Sequence, residues 1–174
     1  MIRTYRYRIK DSSVAAQLNE LARACNQVWN FCNESQEHAL RWDQRWPTYQ
    51  DLCKLTTGSS KELGLHSQTV QAVCEQYATR RKQFKKRKLR WRGKRSPGWI
   101  PFKASSVKVV EDTVRYAGHA FRFWNNRELP GPIKCVNAAV SVRTPGNAGT
   151  LISSLKCRKR KPRRERSTLE LTLG

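Results

Sequence analysis

The sequence predicts an α+β fold: a small antiparallel β-barrel with a helical insertion after its first strand. Residues 2–10, IRTYRYRIK, alternate along the chain with period two. Residues 12–100 carry apolar side chains at spacings of three and four. Beyond residue 100 short β-prone runs alternate with turn residues. Lone hairpins are marginal, so the opening strand is expected to complete the later β unit. That makes 1–11 and 101–174 one β-barrel domain and 12–100 an inserted helical domain.

In the first strand Tyr5, Tyr7 and Ile9 form one face, and Thr4, Arg6, Arg8 and Lys10 form a basic one. Asp11, Ser12 and Ser13 supply capping side chains for a helix. Its stripe runs Val14, Leu18, Leu21, Cys25, Val28, Cys32 and Ala39, broadened by Trp29 and Phe31, and ends near His38 to Arg41. Trp42, Trp46 and Pro47 follow, and the proline turns the chain. Thr48 and Asp51 form a capping pair ahead of Leu52, Cys53 and Leu55. TTGSS, residues 56–60, reads as a loop. Ser67 is the expected N-cap of a second long helix carrying Val70, Val73, Cys74, Tyr77 and Phe84. Ser96, Pro97, Gly98 and Pro101 break helical structure. Strands are then expected at 107–110, 113–116, 120–124, 133–136, 139–143 and 169–173.

Thirty-five Lys and Arg against 13 Asp and Glu leave a net charge of +22, which repels itself in a compact state unless an anion offsets it. The excess is concentrated. RRKQFKKRKLRWRGKR, residues 80–95, holds eleven cations in sixteen residues, and no acidic residue occurs between Glu75 and Glu111. KCRKRKPRRER, residues 156–166, holds eight. A phosphodiester backbone is the matching partner, because each neutralised phosphate releases counterions. Trp91, set between Arg90 and Arg92, adds a ring on which an unstacked RNA base can lie. The candidate RNA-binding residues are Arg6, Arg8, Arg80, Arg81, Lys85, Lys86, Arg87, Lys88, Arg90, Trp91, Arg92, Lys94 and Arg95, with Arg158, Lys159, Arg160, Lys161, Arg163 and Arg164 from the second run. The plainer alternatives are a solvated helix face for the first run and a non-specific basic loop for the second.

Catalysis has little support. His38, His66 and His119 are scattered, and no zinc-binding CxxC pair, phosphate-binding glycine loop or nucleophile elbow occurs. Glu111 and Asp112 read as turn residues, and the six cysteines read as core filler. No catalytic residue, metal or cofactor is therefore assigned, and the chain on its own is not expected to be an enzyme. The N-terminus lacks a signal-peptide apolar run, and no apolar stretch approaches ~18 residues, so the sequence reads as soluble, intracellular and non-membrane.

The order of these features resembles TnpB, the RNA-guided nuclease of bacterial insertion sequences and a relative of type V CRISPR effectors. Tyr7 and Arg8 match its opening strand motif, and Val28, Trp29 and Asn30 match the end of its first helix. Residues 65–84 resemble its Leu-x-Ser helix, Pro101, Phe102 and Lys103 its Pro-x-Phe-Lys signature, and TLELTL its strand before the nuclease domain. The resemblance covers essentially all 174 residues. It implies a wedge-like barrel and a recognition domain that hold a structured guide RNA and read a target-adjacent DNA motif, in a cytoplasmic, nucleoid-associated setting. It assigns motif contact to Ser67, Gln68 and Gln71, since Gln can pair with adenine edges. The family's catalytic carboxylates and zinc cysteines lie in a RuvC-type domain beyond the span matched, which leaves three arrangements: an amino-terminal half of such a protein, a non-cleaving binder, or a partnership with a separate nuclease-bearing chain beside RNA and DNA. Two other readings stand beside this one: a stand-alone DNA-binding repressor or transposition accessory protein, and a ribosome- or RNA-associated structural protein.

Overall fold

A computed structural model describes residues 2–10, 14–85, 88–93, 96, 98–103, 106–124, 138–142 and 151–158. Strand β1 (Ile2–Arg8) leads into helices α1 (Val14–Arg41), α2 (Tyr49–Leu55), α3 (Ser59–Glu62) and α4 (Ser67–Phe84). Strands β2 (Gly98–Phe102), β3 (Val107–Val110), β4 (Thr113–Tyr116), β5 (His119–Arg122), β6 (Ala138–Val142) and β7 (Leu151–Arg158) follow.

The expected stripe of α1 is buried from Val14 through Leu18, Leu21, Cys25, Val28, Trp29 and Cys32 to Ala39. It meets Val70, Val73, Cys74 and Tyr77 of α4, and Ile100 and Phe102 of β2, in one continuous core. Helices and strands therefore share an interior, which Tyr116 of β4 stitches by donating to Thr69 Oγ1 of α4 at 2.7 Å. At α2 the capping pair forms as expected: Thr48 Oγ1 accepts from Asp51 N, and Thr48 N donates to the Asp51 carboxylate at 2.9 Å. Two helical boundaries differ. Residues 56–58 form the expected turn, but after Gly58, at φ +91°, Ser59 and Ser60 open α3 instead of continuing the loop. The N-cap of α4 is His66, not Ser67, because the imidazole Nδ1 accepts from Gln68 N at 3.2 Å.

The strands form two antiparallel sheets, β1-β7-β6-β2 and the meander β3-β4-β5. A bridge between Ile9 and Phe123, with Lys10 N donating to Arg122 O at 2.8 Å, joins their edges. The expected barrel is not closed among the described residues; the meander strands are only four residues long and meet the end of β1 at that one bridge. Strand β2 was not expected, because Pro101 falls in it. It lies at the edge of its sheet, the position in which a strand tolerates proline. Strand β7 was also not expected; β1 pairs with it from Ile2↔Arg158 to Arg8↔Leu151, with a register shift between Tyr5 and Arg6. The strands expected at 133–136 and 169–173, and the caps expected at 11–13, lie outside the described residues.

Candidate nucleic-acid interface

The first cationic run does not continue α4. The helix ends at Phe84, with Lys85 left-handed at φ +48°, and residues 88–93 run back along α1. Side chains of α1 strap that connector down by its own backbone. Asn33 Nδ2 donates to Leu89 O at 3.0 Å, and Trp29 Nε1 donates to Arg90 O at 3.2 Å. Asn30 meets Arg92 twice, donating to its carbonyl at 2.8 Å and accepting from its N–H at 2.9 Å. The Asn30 amide thus imitates a ladder partner, and three connector carbonyls and the Arg92 N–H are satisfied without a sheet.

This strapping divides the cations into two sets. Leu89 and Arg92 turn inward. The Arg92 guanidinium lies 3.8 Å from the Trp29 ring centroid and 5.0 Å from that of Trp99, tying α1 to β2. Burial, then the neighbouring Arg80 charge, pushes Arg92 down to about 10, so it stays cationic at neutral pH. Arg81 is buried and donates to Gln36 Oε1 and to Pro47 O, with Trp46 and Tyr77 facing its guanidinium. Lys88 pairs with Glu37 at 2.7 Å; that bond, with Arg41 on the other oxygen, holds the Glu37 carboxyl below its ordinary range. Three of the candidate RNA-binding cations therefore fasten the protein to itself.

Arg80 and Lys82 of α4, Lys85 at its end, and Arg90 and Trp91 of the connector are exposed, as is Phe84, with 58% of its surface open. Two aromatic rings and four cations are thus exposed along the end of α4 and the strapped connector. Lys82 belongs to this set although it was not among the candidates. At the other end of α4, Ser67 and Gln71 are exposed one turn apart, with Gln68 half-buried between them. Arg6 and Arg8 lie in β1 opposite Ser153 and Leu151, and Arg158 lies in β7 opposite Ile2. Lys86, Arg87, Lys94, Arg95, Lys159, Arg160, Lys161, Arg163 and Arg164 lie outside the described residues.

The residues that build this interface without touching solvent were the ones the sequence reading missed. Asn33 and Gln36 extend the buried stripe of α1 as polar members, 0% and 1% exposed. Asn33 also accepts from the Tyr77 hydroxyl at 2.9 Å, so one amide joins α1, α4 and the connector. The available signal was a buried helical face that keeps its spacing but turns polar at Asn26, Asn33 and Gln36 just before a cationic segment. Cys25, Cys32 and Cys74 are buried, as core filler would be, and Cys53 is half-buried. Among the described residues no helix is long and apolar enough to cross a membrane. No family model matches the chain, and no curated protein matches it.

Proposed function

We propose that this chain is an RNA-binding module of an RNA-guided, TnpB-like system. The supporting observation is a run of exposed side chains: Arg80, Lys82 and Phe84 of α4, Lys85 at its end, and Arg90 and Trp91 of the connector, whose backbone is fixed by Trp29, Asn30 and Asn33. Bases of a single strand or loop stack on the two rings while its phosphates lie along the cations, a mode that tolerates many sequences. In this reading the two sheets complete a wedge-like barrel, the helices form the recognition part, and the start of α4 meets DNA through Ser67 and Gln71. A guide RNA supplies the sequence information, so the protein itself reads little. A structured RNA, a target DNA and a nuclease-bearing second chain are its partners in the cytoplasm.

Co-purification from cells followed by RNA sequencing tests the reading. One enriched structured RNA is the expected outcome, and an even sampling of cellular RNA would overturn it. A second measurement isolates the stacking platform. Replacing Trp91 with Ala is expected to weaken RNA binding by about 5- to 150-fold, the worth of one stacked base, with the melting temperature unchanged.

A further inference from the structure

The meander β3-β4-β5 has two chemically distinct faces. Val107, Val114, Tyr116, Phe121 and Phe123 are buried on one. On the other, Lys108, Val110, Arg115, Ala120 and Arg122 are exposed, and Thr113 is half-exposed. The register sets Lys108 directly opposite Arg115, and Arg115 opposite Ala120, with Arg122 opposite Thr113 and so diagonal to Arg115. Like charges directly opposite each other across two strands destabilise the pair. Neither Lys108 nor Arg115 is ion-paired among the described residues, and none of the six outward positions carries a carboxylate. The acids within residues 106–124 both lie in the β3–β4 turn, where Asp112 is taken by Lys10 at 2.7 Å and Glu111 is exposed. The sheet thus keeps a like-charge pair directly opposed on an exposed face.

We infer that this face is a second RNA contact, binding the phosphodiester backbone through Lys108 and Arg115 with Arg122 adding charge, separate from the connector. It rests on the RNA-binding reading above. The aromatic side chains of these strands point into the core, and only Trp124, 52% exposed, stands past the end of β5. The face therefore grips phosphates and does not stack or read bases, and its contribution is independent of RNA sequence.

The decisive comparison uses the full chain, freed of nucleic acid, and the double variant Lys108→Gln with Arg115→Gln. Binding of single-stranded RNA is followed against salt. Losing two phosphate contacts flattens the log–log salt slope by about 1.4, which corresponds to about 25-fold weaker binding at 0.1 M salt. The loss is equal for RNAs of different sequence. Relief of the like-charge pair raises the melting temperature of the free variant at low salt by roughly 1–3 °C, whereas a scaffolding role would lower it. An unchanged slope in a variant that still binds, with the connector variant Arg80→Gln and Lys85→Gln weakened, overturns this inference and leaves the RNA-binding reading standing. No binding of RNA by the unaltered chain removes both. A loss confined to a DNA strand of the same sequence overturns the assignment to RNA.

Discussion

Asn33 carries more of this architecture than any exposed cation does. Its amide donates to Leu89 O and accepts from the Tyr77 hydroxyl in a fully buried position, where neither partner can turn to water. Truncation leaves two buried polar groups unpaired, each costing about 1–3 kcal/mol. Asn33→Ala is therefore expected to destabilise by about 2–5 kcal/mol in urea titration, and Tyr77→Phe, which removes one bond, by distinctly less. Equal losses for the two would show that the amide does not bridge. The same site sets a pH limit. Burial pushes Tyr77 and Cys25 up to about 12, from ordinary values of 10 and 9. The folded state then keeps protons that the unfolded chain releases, so their contribution is complete below about pH 9 and shrinks as pH climbs toward 12. Unfolding by base is expected in that window, with tyrosinate absorbance and circular dichroism changing together. Tyrosinate absorbance that reaches its full value before ellipticity changes would refute the assignment.

Among the elements, the β4–β5 hairpin holds a local conflict that is open to repair. Its two-residue turn places Ala117 at φ +46° and Gly118 at φ +82°. Both positive angles suit a mirror-image turn for which Asn-Gly is preferred, and Ala in the left-handed region costs about 1 kcal/mol. Ala117→Asn is expected to stabilise the chain by about 0.5–1 kcal/mol in thermal or urea melts; a loss of stability would mean that the turn is not of this type. The place of that turn was legible in the sequence, as were α1, the Thr48–Asp51 cap and the meander, because each follows from spacing or from adjacent residues. Strand β2 was hidden by Pro101, whose tolerance depends on an edge position that only the sheet order reveals. Strand β7 was not read as a strand because its partner, β1, lies at the other end of the chain. The interface was half legible. Charge density located the connector, but which cations turn inward depends on Trp29, Asn30 and Asn33, more than fifty residues away.

For the molecule as a whole, the charge of +22 sets opposite salt responses for the free and bound protein. The described ion pairs engage Lys10, Arg41, Arg45, Lys88 and Lys103, a small part of 35 cations. Surface pairs of that kind contribute little, so net repulsion dominates the long-range field. Screening shortens the reach of that repulsion from about 30 Å at 0.01 M salt to about 8 Å at 0.15 M. The nucleic-acid-free chain is therefore expected to melt at higher temperature as salt rises across that range. Its RNA complex is governed by counterion release instead. With about six to ten phosphate contacts to a single strand, log affinity falls against log salt with a slope of roughly −4 to −7. Added RNA thus raises the melting temperature strongly at low salt and progressively less as salt increases, and the two curves converge. Paired melting curves across a salt series, with and without RNA, measure both trends at once. Curves that run parallel would mean that the cations answer to something other than a polyanion.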